Sequence, residues 1–545
     1  MSISILQTNS FFLMNLSQKS SQKKIYAVIA IVIIVVAAIG GFYYYQLSQG
    51  PKTKSVAVYS YVSDFPDLDP SSAFEDEQVI LSNTYEALVY FDPSNTQPLQ
   101  PWLATSWNNS ADGLTWTFHL RTGVTFHDGT PFNAQAVKFS IERTKTLGLG
   151  GAYIWDPVQA VNVIDDSTVQ IQLNYPAPVP QMASSQYAAW IISPSIPANA
   201  SDWFNAGHDA GTGPYMIQSY QKGFEVTLQQ YSGYWKGWSG QHFDNVIFRV
   251  DRDPSVRLQA VQSGDADMTL DIPVDLLSNI QGNTNVVVID SKAYRNLVGS
   301  INTVKAPTDN VLVRQAISYA FPYQDVIDSV WKGHARQSTG PVPTGMVGHF
   351  DDLPQYSLDL TKAQDLLTQA GYPNGGLSLT LTYTSGDEVE KAVAELYKAQ
   401  LAKLNIDLSI QEMTTHAKYA LARGDPTQAQ NIILFYWWPT YITAYDFLFN
   451  LFHSEKKHIF NFSYYNNTQY DNLIDQASQL EGTNPTQALQ MYKQAQLMLI
   501  QDAAALFIFD QDTTIIYNAR VHNLTDNPAY IETIFFYDCW EEAPS

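Results

Sequence analysis

Residues 103–143 read LATSWNNSADGLTWTFHLRTGVTFHDGTPFNAQAVKFSIER, and almost every position in this stretch has a definite structural role. Residues 116–120 alternate large apolar with polar side chains, as a half-buried strand does, and a glycine separates them from a second short strand predicted at residues 124–126. Residues 128–131 predict a tight turn, after which Asn133 is a candidate N-cap for the helix that ends the stretch. The stretch therefore predicts two strands, a turn and a capped helix.

The same stretch resembles the signature of the family 5 extracellular solute-binding proteins of ABC transporters, the oligopeptide, dipeptide and nickel type of receptor. In that family the run combines leucine-alanine, a tryptophan, two aspartate-glycine pairs, an arginine before glycine-valine, a proline and a closing arginine. The matching residues here are Leu103, Ala104, Trp107, Asp112, Gly113, Arg121, Gly123, Val124, Phe126, Asp128, Gly129, Pro131 and Arg143.

Shorter motifs extend the resemblance along most of the chain. They lie at residues 85–89, 211–215, 234–235, 262–267, 313–320, 340–343 and 363–372. Two positions depart from the family pattern, because Ala87 stands where glycine is usual and Pro322 where an aspartate often follows. The resemblance implies an α/β, two-lobed periplasmic-binding-protein-like fold with an extra subdomain in the first lobe, preceded by one transmembrane helix.

The resemblance also implies how the chain is divided. The expected segments are 1–24 as a cytoplasmic N-terminal tail, 25–45 as a transmembrane anchor or signal, 46–55 as a linker, 56–300 as lobe 1 with a subdomain at 73–205, 301–500 as lobe 2, and 501–545 as a return to lobe 1. Periodicity alone predicts a parallel strand-helix-strand unit over residues 377–410 and a strand buried on both faces at residues 432–435. It also predicts two separate strands at residues 506–509 and 514–517.

Residues 25–45 are apolar or aromatic with few polar side chains and no charge, long enough to cross a hydrocarbon core of about 30 Å. Lys19, Lys23 and Lys24 precede this segment, so positive charge retained in the cytoplasm would place the rest of the chain outside the cell. A cleaved secretory signal is the alternative. The only cysteine, Cys539, lies far from the segment, which excludes a lipid anchor there and an intramolecular disulfide.

The composition excludes nucleic acid as a partner. The chain carries 30 Lys and Arg against 52 Asp and Glu, a formal charge of −22, whereas nucleic-acid binding needs a basic surface. The low lysine content is typical of a surface that faces acid, and a general compositional bias is the alternative. Glycosylation sequons, which permit a glycoprotein, begin at Asn108, Asn199, Asn461, Asn466 and Asn523.

The candidate ligand-binding residues follow the predicted strand at residues 432–435. Ligands of open α/β sheets bind outside the carboxyl ends of the strands, and the polar and aromatic residues in this position are Tyr436, Trp437, Trp438, Tyr441, Tyr445 and Asp446. Aromatic rings can stack on sugar rings or enclose apolar side chains, and Asp446 could accept hydrogen bonds from hydroxyls or an amine. The alternative is that these rings fill the core between the lobes.

The sequence leaves the ligand open between an oligosaccharide and an oligopeptide. Peptide-binding members of the family carry acidic residues after the tryptophan, where this chain has Thr440, Ile442, Thr443 and Ala444. The missing acids favour a neutral oligosaccharide, although Asp446 or another loop could supply the charge.

No catalytic residue, metal site or cofactor is predicted. The chain has neither a G-x-x-x-x-G-K-[ST] phosphate loop nor a G-x-S-x-G elbow, so ATP hydrolysis would belong to a separate subunit. We expect a monomeric receptor, not an enzyme, that delivers its solute to ABC permease subunits. The alternative is a secreted carbohydrate-active hydrolase with an aromatic substrate cleft, which would need two carboxylates about 5 to 10 Å apart.

If residues 25–45 anchor the protein, protease added to intact cells should remove the body of the chain. Membrane fractions should keep the protein unless detergent is added. A cleaved signal would leave a mature protein that begins at about residue 40. If such a protein washes off membranes without detergent, the anchor prediction is wrong.

Overall fold

The computed structural model describes residues 55–280, 282–454 and 459–542. The predicted tail, transmembrane segment and nearly all of the linker lie outside the described residues. Within the described part of the chain, no helix is both long enough and apolar enough to cross a membrane. The body that begins at Ser55 forms one compact unit.

The strands of the body are numbered in chain order. They are β1 (Val56–Tyr61), β2 (Val89–Phe91), β3 (Leu99–Pro101), β4 (Ala104–Asn109), β5 (Thr115–Leu120), β6 (Val158–Asp165), β7 (Thr168–Leu173), β8 (Tyr215–Gln221), β9 (Glu225–Gln230), β10 (Asn245–Val250), β11 (Met268–Leu270), β12 (Val286–Ile301), β13 (Ala335–Gln337), β14 (Leu377–Thr384), β15 (Ile406–Met413), β16 (Ile432–Trp437), β17 (Ala505–Asn518), β18 (Val521–His522) and β19 (Trp540–Glu541).

The α-helices are numbered in the same way. They are α1 (Gln78–Thr84), α2 (Ala134–Leu147), α3 (Val179–Met182), α4 (Ala200–Phe204), α5 (Pro254–Ser263), α6 (Val274–Leu277), α7 (Val311–Tyr319), α8 (Tyr323–Asp325), α9 (Leu360–Gln369), α10 (Glu388–Ala402), α11 (Thr415–Ala422), α12 (Ala444–Phe452), α13 (Thr468–Leu480) and α14 (Pro485–Gln501). A π-helical turn, Val326–Val330, follows α8.

A mixed sheet of eleven strands runs through the body in the order β15-β14-β16-β12-β17-β11-β1-β10-β9-β8, with β13 paired to β17. β12 and β17 are its two long central strands, and each passes from one half of the sheet to the other. Residues 286–292 of β12 pair with residues 512–518 of β17, while residues 296–300 pair with residues 505–510. The register shifts between Lys292 and Asn296, so a bulge lies where the two halves meet.

The two halves of the sheet carry two lobes. β1 and β8–β11 pack around an aromatic core in which Tyr59 contacts Tyr61 and Phe536. β14, β15 and β16 carry the second lobe, with helices on both faces. The two strands predicted at residues 506–509 and 514–517 are wrong as separate elements. They form the single strand β17, because the residues between them pair with β12 and β13 instead of turning.

The predicted strand-helix-strand unit is confirmed. β14 and β15 are parallel from the Leu377–Ile406 pair to the Thr384–Met413 pair, and α10 connects them. α10 buries one stripe against the sheet, including Val393, Ala394, Tyr397 and Leu401. β16 lies next to β14 and is buried along nearly its whole length, as its continuous apolar sequence predicts.

The stretch at residues 103–143 contributes β4, β5 and α2 to a subdomain with the four-stranded sheet β4-β5-β7-β6. The predicted strand β5 and the Asn133 cap are confirmed, since the Asn133 side chain accepts a hydrogen bond from the Ala136 amide at 3.1 Å. Residues 124–126 do not form the predicted strand. The Phe126 amide donates to Thr130 O at 2.8 Å, so this segment closes a tight turn and only an isolated bridge remains.

Contacts in the structure explain why two of the family motifs contain the residues that they do. Arg143, the last residue of the signature, forms a bidentate ion pair with the buried Asp69, with nitrogen-oxygen distances of 2.7 and 2.6 Å. In the motif at residues 211–215, a Cβ on Gly211 would collide with Thr84 O, and one on Gly213 would lie 2.7 Å from the Thr84 carbonyl carbon. These glycines allow the chain to pass directly against the end of α1.

The five predicted sequons differ in exposure. Asn108, Asn199, Asn466 and Asn523 are exposed. Asn461 is 2% exposed, and its Nδ2 donates to His453 O at 3.0 Å and to Tyr465 O at 2.9 Å. The expectation is therefore wrong for Asn461, because no glycan can be attached to a buried amide that is already hydrogen-bonded.

The carboxyl groups of Glu77, Asp446 and Glu481 are among those that the lobes bury. Burial raises the pKa of Asp446 to about 8, and it raises the pKa of Glu77 and of Glu481 to about 7. Asp446 Oδ2 lies 3.3 Å from Trp437 Nε1 and 3.4 Å from the Thr440 amide, while Asn450 Nδ2 donates to Oδ1 at 3.0 Å. These neutral contacts only partly offset the loss of water.

The free energy of unfolding should fall as the pH rises from about 4 to about 8. In this range the folded protein holds protons on the three carboxyls that the unfolded chain has already released, because their pKa values are raised on folding. At pH values above their pKa in the folded protein, these groups cause no further loss of stability. Asp446→Asn, which is neutral at every pH, should flatten the dependence measured by chemical unfolding at pH 5 and pH 8.

Asp365→Asn is the matched control, because Asp365 is exposed on α9. It should leave the pH dependence unchanged. An identical loss of stability in the wild type and in Asp446→Asn would show that Asp446 is ionised in both states. Each unit of pKa difference corresponds to about 1.4 kcal/mol, so the effect is large enough to measure.

Candidate functional site

A cleft opens at the carboxyl end of β16. It has a volume of about 370 Å³ and is continuous with a smaller cavity of about 160 Å³, because Glu75, Arg295 and Trp438 line both. We call this combined space the cleft. Its lining joins α1 and the segment before it, the bulge of β12, β16, the amino end of α10, α11 and the C-terminal segment near residue 532.

Arg295 lies in the bulge of β12 and is the central cation of the cleft. Its guanidinium carbon is 4.5 Å from the centre of the Tyr436 ring and 5.6 Å from that of Trp438, within the range of a cation–π interaction. Its Nη1 lies 3.3 Å from Glu532 Oε1. Although burial disfavours its charge, Glu532 and Asp271 raise the pKa of Arg295, so the guanidinium stays charged.

Carboxyl groups surround Arg295. Tyr61 OH lies 2.5 Å from Glu532 Oε2 and 3.3 Å from Asp76 Oδ1. Burial raises the pKa of Glu532 to about 8, and the nearby Asp271 and Asp76 act in the same direction while Arg295 opposes them. Asp271 and Glu532 have φ values of 52° and 59°, a conformation that is unfavourable for residues other than glycine and is concentrated at functional sites.

Glu75 is an exposed carboxylate of the cleft without a partner among the described residues. It lines both parts of the cleft, and its side chain accepts no hydrogen bond and forms no ion pair within the described part of the chain. Asp387 also lines the cleft, where its Oδ1 accepts a hydrogen bond from the Glu390 amide at 2.8 Å and caps α10. The cleft therefore has more negative than positive groups.

The floor of the cleft contains a buried ion pair. Lys418 Nζ lies 3.4 Å from Glu390 Oε2, and both side chains are 1% exposed. Lys418 also donates to Leu434 O at 2.5 Å and to Thr384 Oγ1 at 2.6 Å, so its ammonium is fully used by the protein. This pair fixes α11 against β14 and β16 and leaves no charge for a ligand.

The structure brings three of the six candidate site residues into the cleft lining, namely Tyr436, Trp437 and Trp438. Trp437 is 7% exposed and directs its indole nitrogen toward Asp446. Asp446 itself is 1% exposed and lies behind the cleft wall, outside the lining. Tyr436 and Trp438 thus present the accessible rings.

Tyr441 lies in a different place, in a pocket of about 200 Å³ between the subdomain and the second lobe. Tyr445 and Tyr153 line the same pocket. Thr440, just before Tyr441, is held from the subdomain side, because Tyr153 OH hydrogen-bonds to its hydroxyl and Ser185 Oγ donates to its carbonyl oxygen. This loop therefore connects the second lobe to the subdomain.

Sequence reasoning missed Glu75, Arg295 and Glu532. They come from three distant parts of the chain, and none follows a recognisable motif. The acidic run at residues 75–77 is the one available signal, since three adjacent carboxyls next to an apolar helix are unusual. No group of three metal-ligating side chains occurs among the residues described.

Comparison with known proteins places the chain in a family. The model of bacterial extracellular solute-binding proteins, family 5 Middle, matches residues 98–458. A protein of Escherichia coli K12 described as the probable D,D-dipeptide-binding periplasmic protein DdpA is 29% identical over 499 residues, covering 88% of this chain and 93% of that protein. The glutathione-binding protein GsiB of Pectobacterium atrosepticum is 29% identical over 489 residues, with the same coverage of 88% and 93%.

Solved structures agree in fold. DppA of Helicobacter pylori, in complex with the peptide STSA, superposes with a TM-score of 0.75 at 25% identity and covers 90% of this chain and 99% of that one. CtaP of Listeria monocytogenes has a TM-score of 0.79 at 21% identity, covering 90% and 100%. The two-lobed fold is thus confirmed, and the hydrolase alternative receives no support. The chain belongs to the bacterial extracellular solute-binding proteins of family 5, the receptors of ABC transporters.

Proposed function

We propose that this receptor captures a peptide-type solute that carries a free ammonium group, holds it in the cleft between the two lobes and delivers it to an ABC permease with a separate ATPase. The unpartnered carboxylate of Glu75, next to the rings of Trp438 and Tyr436, is the observation that carries the proposal. Relatives that bind a D,D-dipeptide or glutathione, and a structural neighbour with a bound peptide, support the same ligand class.

The charge of the cleft favours an amine over a neutral sugar. Arg295 is already paired with Glu532, and Lys418 with Glu390. The acids that remain are Glu75, Asp76 and Asp387, and a ligand ammonium would neutralise part of this charge. The sequence favours an oligosaccharide ligand because no acidic residues follow Trp438. Glu75 supplies a carboxylate from a different part of the chain.

The aromatic residues of the cleft form the surface that would contact the side chains of a peptide ligand. Tyr436 and Trp438 line it together with Phe74, Tyr419 and Phe460. The volume of about 370 Å³ lies in the range of sites that take small organic ligands. We assign Tyr436 and Trp438 to contact with the ligand, Trp437 to the wall, and Tyr441 and Asp446 to support of the loop behind it.

We further propose that ligand binding closes the lobes by bending at β12 and β17. Lobe 1 comprises residues 56–300 and 501–545, and lobe 2 comprises residues 301–500. The bulge beside Arg295 lies where the two halves of the sheet meet, which is the place where a small backbone change produces the largest rotation. The closed shape, which includes the contacts of Thr440 to the subdomain, is what the permease would recognise.

Delivery requires that the receptor stay close to its permease. We assign this role to residues 25–45 as a single-pass anchor that keeps a monomeric body outside the cell, on the basis of their apolar sequence and the lysines before them. Exposed Asn108, Asn199, Asn466 and Asn523 would accept glycans in a host that glycosylates such sequons.

Glu75→Gln should weaken the binding of peptides with a free amino terminus by on the order of tenfold to a hundredfold, because a hydrogen bond to a charged group is lost. Isothermal titration with a panel of di- to pentapeptides measures this change. The same peptides with an acetylated amino terminus should bind weakly to the wild type and should not distinguish it from the variant.

Glu395→Gln is the matched control, because Glu395 is exposed on α10 and does not line the cleft. It should leave affinity unchanged. Equal binding of free and acetylated peptides, or full affinity in Glu75→Gln, would contradict the assignment of Glu75 to the ammonium group.

Trp438→Ala and Trp437→Ala should separate a ligand contact from a core contact. Trp438→Ala should weaken peptide binding by about 1 to 3 kcal/mol and leave the melting temperature of the free protein nearly unchanged. Trp437→Ala should instead lower the stability of the free protein by about 3 to 5 kcal/mol, because the ring is 7% exposed and holds Asp446. If Trp438→Ala instead lowered the stability of the free protein and Trp437→Ala weakened peptide binding, the assigned roles of the two rings would be wrong.

A further inference from the structure

A second cavity, similar in volume to the cleft, lies within the first lobe. It has a volume of about 540 Å³ and is enclosed by α1 and the segment after it, by Lys236 and by residues 525–538. None of its lining residues lines the cleft. We call it the lobe-1 cavity.

One wall of the lobe-1 cavity is a stack of three aromatic rings. Tyr90 lies between Trp102, at a centroid distance of 4.8 Å, and Tyr530, at 5.2 Å. Lys236 Nζ covers Trp102 at 3.3 Å from its centre. Phe535 and Tyr537 complete the apolar surface. Because the stack covers both faces of Tyr90, these rings offer mainly their edges to a ligand as apolar surface.

Several hydrogen-bond donors in the lobe-1 cavity have no acceptor. Among the described residues, no oxygen accepts a hydrogen bond from Lys236 Nζ, although burial lowers the pKa of this amine and Glu86 and Asp538 oppose the effect. Ser82 is 5% exposed, and its hydroxyl has no partner there. The Tyr90 and Tyr530 hydroxyls each accept one hydrogen bond, from Asn527 Nδ2 and from the Phe91 amide, and neither donates to a described residue.

The acceptors of the lobe-1 cavity are carboxylates. Asp538 lines it, and its side chain accepts no hydrogen bond from the residues described. Asp526 accepts one from Ser291 Oγ. Glu86 is not available, because Trp102, Trp235, Tyr234 and Thr212 all donate to its two oxygens.

We propose that the lobe-1 cavity is a second ligand site and that it takes a neutral saccharide of one or two rings. An anionic ligand would face Asp526 and Asp538, and a cationic ligand would compete with Lys236 for the ring of Trp102. Hydroxyl groups both donate and accept, so a sugar can satisfy Lys236, Ser82 and the tyrosines as acceptor and the carboxylates as donor. The aromatic wall would contact its apolar face.

The full-length protein should be titrated with glucose, galactose, maltose, cellobiose and trehalose by calorimetry and by ligand-observed NMR. At least one sugar should bind with one molecule per protein. Lys236→Met keeps the apolar stem over Trp102 and should weaken this binding by about tenfold, because it removes a charged donor. Tyr90→Phe, which removes one hydroxyl and keeps the stack, should weaken it by about threefold.

Lys222→Met is the control, because Lys222 is an exposed lysine of the same lobe outside the cavity. It should change nothing. Trialanine, as a probe of the cleft, should bind alongside the sugar without displacing it, and its own failure to bind would bear on the peptide proposal alone. Absence of binding by every sugar, binding unchanged in both Lys236→Met and Tyr90→Phe, or displacement by trialanine would overturn the second site.

Discussion

The pairing of β12 with β17 is the interaction on which the rest of this structure depends. These two strands stay hydrogen-bonded across both halves of the sheet, so that residues 286–292 belong to the core of the first lobe and residues 296–301 to that of the second. The bulge between them turns Arg295 toward the rings of Tyr436 and Trp438. The cleft therefore lies at the point where we propose that the lobes rotate, and this position would couple ligand contact to lobe closure.

Local signals in the sequence were sufficient for elements formed by near neighbours. The Asn133 cap, the parallel unit of β14 and β15 and the buried strand β16 each follow from periodicity and capping within about 40 residues. β17 was predicted as two strands, because its continuity depends on pairing with β12 more than 200 residues away. Glu75, Arg295 and Glu532 had no local signature for the same reason, whereas the family resemblance supplied the two-lobed architecture that periodicity could not.

The two cavities of this strongly acidic protein differ in how their charged groups are paired. In the cleft the cations are paired within the protein, and we propose that Glu75 binds a ligand amine. In the lobe-1 cavity a lysine without an acceptor faces carboxylates across an aromatic wall, which suits hydroxyl groups. Burial raises the pKa of Asp446 to about 8 and that of Glu481 to about 7. In these proposals the aromatic residues of the two cavities would serve two different ligand classes.

The structure of the protein crystallised with a bound peptide is the most direct test of the central claim. We predict that the peptide ammonium lies within about 3 Å of the Glu75 carboxylate, the usual distance of a charge-assisted hydrogen bond, with a side chain against Trp438. Peptide density elsewhere, or an ammonium group that contacts solvent alone while Glu75 points away, would contradict the account.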